Sequence, residues 1–277
     1  MKIVNHRLVG DDGNPVAYVA SPNRGVEMTP EYLIMHYTSG STAEGAIAWL
    51  CNPAAKASAH LVIGRDGVAT QLVPFNRVAW HAGQSQWAGR SGLNGFSIGI
   101  ELDNAGHLER AGGRWVSAAS KRVYADDDVL VANHKQDQPG TPPSGWHEYS
   151  EAQMAVAFEV GLALVAKYGL RDVLGHEDIA PRRKSDPGPA FPMASFRARL
   201  MGRADSALDV YETSVALNVR AGPGTEYMVL EGSPLPVAAR VALLERQGVW
   251  WRVDVLDTVA GVMDMVGWCH SRYLVKV

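Results

Sequence analysis

Two histidines and one aspartate have the side chains that a catalytic zinc site requires. His36 ends an apolar run, His176 stands in the segment LGHEDIAP, and Asp186 stands in RKSDPGP. Neutral imidazole and carboxylate are good Zn²⁺ ligands, and three protein ligands plus one water describe a catalytic zinc site. Two histidines and a carboxylate also hold Fe(II), so the residue types alone leave a non-haem iron oxygenase open. Spacing does not show whether His36 meets the other two residues, which depends on the elements that carry them.

Four strands and one short helix are predicted in the first 102 residues of the chain. Apolar runs bounded by turn residues predict strands, and an Asp-Gly pair at 66–67 predicts a hairpin between the second and third of them. The strands are expected at 32–37, 60–63, 68–73 and 96–102, and the helix at 44–50. His36 would then lie at the end of the first strand.

The clearest predicted helix follows Ser150. Ser150 is a good N-cap, and Gln153 three residues later completes a capping box. An apolar stripe at helical spacing runs as far as Val165, and Gly169 suits a left-handed C-cap. A last short helix is expected at 196–201. Strands mixed with helices in this order predict an α/β domain with a central mixed β-sheet and flanking helices.

Two stretches depart from this pattern. From 103 to 149 the periodicity fades, and a segment this long without regular structure is often a functional loop, with local strands near Trp115 or at 129–132. Residues 202–206 form a polar break that reads as a linker. After it, short alternating strands near 215–219, 237–244, 250–255 and 266–268 predict a small all-β barrel.

Composition limits the class of protein. The net charge of -3 gives no basic surplus that would point to nucleic acid. The two cysteines, Cys51 and Cys269, lie far apart and predict reduced thiols rather than a disulfide framework. No apolar run of signal-peptide length precedes Asp11, and none is long enough to span a bilayer. These features predict a chain synthesised in the cytoplasm without a transmembrane segment.

Five segments in the first 200 residues resemble the type-2 N-acetylmuramoyl-L-alanine amidases, which include the peptidoglycan recognition proteins. They are LIMHYT, ASAHLVIGRDG, AWHAG, SIGIEL and GHEDIAPRRKSDPGPAFP, in the family's order. The resemblance implies that His36, His176 and Asp186 bind Zn²⁺. It also implies hydrolysis of the amide bond between N-acetylmuramic acid and L-alanine, in peptidoglycan or its muropeptide fragments.

Two catalytic residues follow from the same resemblance. Glu101 in SIGIEL matches the family's catalytic glutamate, and Lys184 matches its catalytic lysine. A carboxylate beside the metal can take a proton from water and pass it to the leaving nitrogen. A cation can stabilise the oxyanion of the tetrahedral intermediate. Lys184 and Asp186 alternate, so in an extended loop they would point to the same side.

Four further residues are weaker candidates for substrate binding. His60 and His81 belong to matched segments, and Asn94 precedes the strand that carries Glu101. Trp146 ends the long loop, where an aromatic ring could stack on a sugar. Local packing is an equally good reading of these residues. The sequence assigns no role to His6, His107, His134 and His270.

The C-terminal region resembles a bacterial SH3-like domain. ALNVRAGPGT opens the match, and WWRV and GWCHSRYL continue it. The predicted domains are therefore 1–203, catalytic, and 208–277, SH3-like. Such modules often bind cell wall, although a stabilising or autoinhibitory role without a ligand is the alternative.

The biological setting and one alternative function stay open at this stage. The absence of a visible signal peptide fits cytoplasmic recycling of anhydro-muropeptides, and also a phage-type lysin or an effector that acts on intact wall. The alternative is a catalytically inactive peptidoglycan-recognition protein, which would lack a metal ligand or a catalytic residue. All five positions are present, and this argues for an enzyme.

Overall fold

A computed structural model describes residues 1–138, 140–201, 210–262 and 265–277. The chain divides into two compact units, Met1–Met201 and Gly202–Val277. The predicted linker at 202–206 and the predicted boundary between 203 and 208 lie outside the described residues.

The described residues of the first unit form seventeen strands and four α-helices. The strands are β1 (Lys2–Val4), β2 (Arg7–Val9), β3 (Ala17–Tyr18), β4 (Arg24–Glu27), β5 (Tyr32–Tyr37), β6 (Leu61–Ile63), β7 (Ala69–Gln71), β8 (Arg77–Ala79), β9 (Gln86–Trp87), β10 (Arg90–Ser91), β11 (Ser97–Leu102), β12 (His107–Ala111), β13 (Arg114–Ser117), β14 (Val123–Tyr124), β15 (Val129–Ala132), β16 (Ser144–His147) and β17 (Asp172–Gly175). The helices are α1 (Ala43–Leu50), α2 (Glu151–Tyr168), α3 (His176–Ile179) and α4 (Met193–Leu200).

A six-stranded mixed sheet organises this unit. Its strand order is β17-β5-β11-β6-β7-β3. β17, β5, β11 and β6 run parallel, whereas β6 and β7 form the antiparallel hairpin predicted around 65–67. The predicted central mixed sheet with flanking helices is confirmed. The parallel strands bring their carboxyl ends to one edge, which is where open α/β sheets bind ligands.

Both faces of the central strands are buried. Successive side chains of a strand point to opposite faces. Leu33 and Met35 accordingly pack on the face that meets Val160 and Leu164 of α2, whereas Ile34 belongs to a separate cluster. Burial on both faces is what a parallel sheet requires, and it explains the continuous apolar runs in the sequence.

Helix α2 begins and ends as predicted, but its capping box does not form. The Ser150 side chain accepts a hydrogen bond from the Gln153 backbone, and Gly169 takes the left-handed conformation at φ 62°. The Gln153 amide instead donates to the carbonyls of Ile63 and Asp103. Gln153 therefore ties the helix to the sheet rather than to its own N-cap.

The stretch from 103 to 149 is not the irregular loop that its weak periodicity predicts. It forms a five-stranded antiparallel sheet of order β14-β13-β12-β16-β15, here called the inserted sheet. The strands have two to five residues, too short for a clear alternating pattern. Gly112 and Gly113 both have positive φ between β12 and β13, as a tight hairpin turn requires. The local strands expected near Trp115 and at 129–132 are present.

The second unit contains a five-stranded antiparallel sheet. The strands are β18 (Val210–Thr213), β19 (Arg240–Gln247), β20 (Trp250–Val255), β21 (Val266–His270) and β22 (Leu274–Lys276), in the order β21-β20-β19-β18-β22. The strand expected at 215–219 does not form, because Leu217 makes only an isolated bridge to Leu235. Its alternation instead reflects burial, since Leu217 and Val219 enter the core of this unit.

Two expectations about the whole chain can also be compared with the structure. Both Cys51 and Cys269 are free thiols. Among the described residues, no helix combines the length and the apolar character that crossing a lipid bilayer would need.

Candidate metal centre and active site

Three neighbouring strands deliver three of the predicted site residues to the carboxyl edge of the central sheet. His36 of β5 lies in register with Glu101 of β11. On the other side of β5, Gly175 of β17 pairs with Met35, and His176 follows at once as the first residue of α3. Because the three strands are parallel, side chains distant in sequence reach the same edge.

Asp186 completes a compact cluster with the two histidines. Its Oδ2 lies 2.8 Å from His36 Nδ1 and 2.9 Å from His176 Nδ1, and the two Nδ1 atoms are 2.9 Å apart. All three residues are buried, with at most 6% of their surface exposed. Among the described residues, these three form the group of potential metal ligands that the structure brings together.

The outer nitrogens of both imidazoles are hydrogen-bonded in a way that fixes their tautomers. His176 Nε2 is 3.1 Å from the carbonyl oxygen of Ala82, which can only accept, and 3.4 Å from Arg183 Nη2, which can only donate. We assign the proton to Nε2 because the carbonyl oxygen is the closer partner. His36 Nε2 contacts His81 Nδ1 at 2.9 Å, and His81 Nε2 faces the Ser97 carbonyl at 3.3 Å. Assigned from this network, His81 donates to Ser97 and accepts from His36. Both Nδ1 atoms of the cluster then carry lone pairs.

This donor set fits a divalent metal ion. Two nitrogen lone pairs 2.9 Å apart repel each other unless a cation lies between them. Three atoms separated by 2.8–2.9 Å can share a point about 2.0 Å from each, which is the distance at which Zn²⁺ binds nitrogen and oxygen. Burial lowers the pKa of His36 to about 4, which keeps the imidazole in the neutral form that binds metals.

The loop at 81–84 supports both histidines and is itself held by two side chains. Asn94 Oδ1 accepts hydrogen bonds from the backbone of His81, at 3.0 Å, and of Ala82, at 2.7 Å. Arg183 donates to the carbonyls of Ala82 and Gln84 at 2.8 and 2.7 Å. The structure thus gives His81 and Asn94 positioning contacts, and it adds Arg183, which the sequence analysis did not select.

Gly99 explains how the His81 ring fits beside the central sheet. A Cβ atom at this position of β11 would lie 2.4 Å from His81 Cγ, well inside contact distance. Only glycine lets the ring approach the strand so closely. The glycine in SIGIEL is therefore the sequence signal that could have pointed to the packing of His81.

Glu101 has the environment of a proton-transfer group. Its Oε2 is buried and has no hydrogen-bond partner among the described residues. Burial raises the pKa of Glu101 well above its usual value, the Asp186 charge raises it further, and the Lys184 charge lowers it. The Lys184 charge also lowers the pKa of His36, after the larger effects of burial and of His176.

Two of the weaker candidates have structural contacts instead. His60 is fully buried, and its ring nitrogens bond the Arg77 carbonyl and the Gly99 backbone N–H, which leaves neither nitrogen for a substrate. Trp146 is 3% exposed, and its indole N–H donates to the Ala132 carbonyl. We therefore assign both residues to packing and leave them out of the proposed site.

His134, to which the sequence analysis gave no role, anchors the inserted sheet region to helix α3. Its Nε2 contacts the Glu177 carboxylate, and both residues are buried. Lys135 adds ion pairs to Glu177 at 2.8 Å and to Asp178 at 2.6 Å. Glu177 directly follows the metal-ligand candidate His176, so its contacts with His134 and Lys135 help to hold α3 in place.

Two imidazoles and a carboxylate that could hold a metal ion lie at the carboxyl edge of a mixed sheet, beside a buried carboxylate, and this arrangement is typical of hydrolases. Comparison with known proteins specifies its class. The sequence pattern of the family described as N-acetylmuramoyl-L-alanine amidase matches residues 26–189. The chain belongs to this family, whose members hydrolyse the amide bond between N-acetylmuramic acid and L-alanine.

Individual relatives agree with this assignment. The chain is 33% identical over 201 residues to 1,6-anhydro-N-acetylmuramyl-L-alanine amidase AmpD of Escherichia coli, covering 65% of this chain and 88% of that protein. It is 31% identical over 180 residues to N-acetylmuramoyl-L-alanine amidase AmiD of the same organism, covering 61% of this chain but only 53% of AmiD. A crystal structure of selenomethionine AmpD is 28% identical with a TM-score of 0.51, covering 72% of this chain and 98% of that one.

Proposed function

We propose that the chain is a zinc-dependent N-acetylmuramoyl-L-alanine amidase whose metal is held by His36, His176 and Asp186. The observation that carries this proposal is the convergence of two imidazole Nδ1 atoms and one carboxylate oxygen within 2.9 Å of each other. Family membership favours zinc over the Fe(II) that the same donors could hold.

Zinc bound by three protein ligands supplies a Lewis acid that lowers the pKa of a bound water towards about 7. The surrounding residues divide the remaining work. Asp186 brings a negative charge that the neutral histidines do not. The loop at 81–84 holds both imidazoles with their Nδ1 lone pairs directed to the same point, through His81 for His36 and the Ala82 carbonyl for His176.

We assign the proton transfer to Glu101. Its carboxylate takes the proton of the attacking water and gives it to the amide nitrogen as the peptide leaves. Its raised pKa suits both halves of this exchange, because a strongly acidic carboxyl would hold the proton too weakly to pass it on. The absence of a hydrogen-bond partner on Oε2 within the described part of the chain leaves that atom free for water.

We assign oxyanion stabilisation to Lys184. Amide hydrolysis places a negative charge on the former carbonyl oxygen, and a fixed cation in a water-poor site lowers the energy of that charge. Lys184 is half-buried, and its charge lowers the pKa of both His36 and Glu101, which supports this assignment.

The proposed substrates are muramoyl peptides, either 1,6-anhydro-muropeptides or intact wall. The likeness to AmpD, which is named for the 1,6-anhydro substrate, favours soluble fragments. The SH3-like resemblance of the second unit favours intact wall. Purified protein should release free peptide with an N-terminal alanine from both substrates, and the ratio of the two rates decides the preference. If muropeptides remained uncleaved after prolonged incubation with zinc-loaded protein, the proposed activity would be overturned.

For the second unit we propose an SH3-like module that tethers the enzyme to the wall. Tethering raises the local concentration of an enzyme at an insoluble substrate. Deleting residues 206–277 should then weaken binding to sacculi more than it slows turnover of soluble muropeptides. Equal losses on the two substrates would contradict the tethering role without affecting the amidase assignment.

A further inference from the structure

The loop that carries Lys184 and Asp186 is attached to strand β5 at two consecutive residues. His36 Nδ1 lies 2.8 Å from Asp186 Oδ2, and the Tyr37 hydroxyl lies 2.7 Å from Ser185 Oγ. Successive side chains of a strand point to opposite faces, so the two contacts hold the loop from different sides. The first contact belongs to the proposed metal centre, whereas the second contact has no part in it.

The Tyr37 ring has little room to move. It is half-buried and lies against the backbone of Gly106, where a Cβ atom would be 2.3 Å from the ring carbon Cζ. Gly106 is itself fixed, because its N–H donates to Asn104 Oδ1 at 2.7 Å and its carbonyl accepts from the His147 N–H at 2.9 Å. The phenol hydroxyl is therefore a fixed point to which Ser185 is bonded.

Separate contacts hold the part of the loop that follows Ser185. The Asp186 carbonyl accepts from the Glu177 N–H at 2.9 Å, and the Pro187 carbonyl accepts from the Tyr149 hydroxyl at 2.8 Å. A bound metal would also hold Asp186 through its carboxylate. Loss of the contact to Ser185 should therefore leave Asp186 in place.

The position of Lys184 depends more strongly on the Ser185 contact. The Lys184 N–H donates to the Ala180 carbonyl at 3.1 Å, but the side chain forms no hydrogen bond or ion pair with the residues that the structure describes. The direction of the backbone at 184–186 then decides where the ammonium group lies. Ser185 is the middle residue of that stretch, and its side chain is bonded to Tyr37.

We propose that Tyr37 is a positioning residue that acts through Ser185 to hold Lys184 where it stabilises the oxyanion. This inference rests on the proposed amidase function, which assigns the oxyanion to Lys184. The Tyr37 hydroxyl then contributes to turnover, because a cation stabilises a developing negative charge best when it is already in place before the reaction begins.

The first test removes the contact from each side. Tyr37→Phe and Ser185→Ala should each lower kcat about tenfold, because each removes the same hydrogen bond, and should leave KM and the zinc content nearly unchanged. The double variant should be no slower than either single variant, since a shared contact cannot be lost twice. Initial rates on a soluble muropeptide and metal analysis of the same samples measure these quantities.

The second test asks whether the effect passes through Lys184. Lys184→Met should lower kcat about 10²-fold, since it removes the cation that stabilises the oxyanion. In this background Tyr37→Phe should cause no further loss, because the group that Tyr37 positions is absent. A merely structural role of Tyr37 would instead lower kcat by the same factor with or without the lysine.

Tyr168→Phe is the matched control, because Tyr168 is also half-buried and its hydroxyl contacts His6 Nδ1 at 2.9 Å, outside the proposed site. It should retain full kcat. Unchanged kcat or lost zinc in Tyr37→Phe, additive losses in the double variant, or an equal further loss in the Lys184→Met background would each overturn the positioning role while the natural chain still cleaves muropeptides. Full activity of Lys184→Met, or no cleavage by the natural chain, would instead overturn the proposed function on which the inference rests.

Discussion

The carboxyl edge of the central sheet and the inserted sheet gain their order in different ways. At the edge, parallel pairing sets His36 beside Glu101, and buried hydrogen bonds from the loop at 81–84 orient the imidazoles. The inserted sheet joins short antiparallel strands around a small cluster that includes Trp115 and Tyr124. The edge is therefore organised by polar contacts between distant residues, and the inserted sheet by local pairing and aromatic packing.

We therefore expect the residues at the sheet edge to serve catalysis and those of the inserted sheet to support the fold. Substitutions at the edge should change metal binding or turnover with little effect on folding. Substitutions in the core of the inserted sheet should reduce stability and leave the metal in place.

Glu101→Gln should have the largest effect on turnover. The amide keeps the shape of the side chain but cannot accept the proton, so kcat should fall about 10³-fold while the protein still binds one zinc per chain. Muropeptide cleavage and metal analysis of the same preparation measure both quantities. Glu109→Gln, at an exposed position of β12, is the control and should retain full activity. Full activity of the Glu101→Gln variant would contradict the assignment of proton transfer to Glu101.

Trp115→Ala should affect stability instead of chemistry. Trp115 is 6% exposed and packs against Gly145, so its loss leaves a large cavity in the inserted sheet. The expected loss of stability is about 3–5 kcal/mol, and it should appear mainly as local opening of this sheet. Hydrogen exchange should show faster opening of residues 107–147, with zinc affinity unchanged. A parallel loss of zinc affinity would mean that the two regions are not separable.

His81→Phe should weaken the metal site without unfolding the protein. Phenylalanine fills the space beside Gly99 but offers no acceptor to His36 Nε2, so the tautomer of His36 is no longer fixed. Zinc affinity should fall about 10–100-fold, the usual effect of losing such a partner. Competition with a chelator measures the affinity, and nitrogen NMR shifts of His36 in metal-free protein report the tautomer. An unchanged tautomer would contradict the hydrogen-bond relay.

A more gradual effect is expected in the pH dependence of stability that comes from His60. Burial lowers its pKa from 6.5 to about 4, so the unfolded chain gains this proton at a higher pH than the folded one. Its contribution is therefore constant above pH 6.5 and falls as the pH drops from 6.5 to 4, by at most about 1.4 kcal/mol per pH unit. In urea titrations with chelator present, His60→Gln should show a shallower loss. If the unfolding free energies of both proteins fell equally steeply with decreasing pH, His60 would not be the source of this dependence.

The central sheet could be predicted because its signals are local, whereas the grouping of His36 with His176 and Asp186 followed from the family resemblance. Strand β5 is a continuous apolar run that ends in His36, and the segment around His176 and Asp186 identifies the family. The supporting contacts could not be predicted. Asn94 bonds the backbone at 81–82, and Arg183 bonds Ala82 across 101 residues, so each depends on the folded sheet rather than on a nearby sequence pattern.

The inserted sheet was missed because its strands are too short to show periodicity. Gly112-Gly113 was the available signal, since paired positive φ values mark a tight hairpin, and Trp115 directly beyond it marked a strand. The failed capping box has a related cause. A glutamine three residues after an N-cap can bond the N-cap or the neighbouring sheet, and only the position of Ile63 decides between them.

Metal dependence tests the central claim most directly. The full chain should contain about one zinc, bound by three protein ligands, and should cleave muramoyl-L-alanine amide bonds. Treatment with a chelator should remove metal and activity together, and stoichiometric zinc should restore both; His176→Ala should have neither. Persistent cleavage by metal-free protein, or full zinc binding by the His176→Ala variant, would contradict the proposed site.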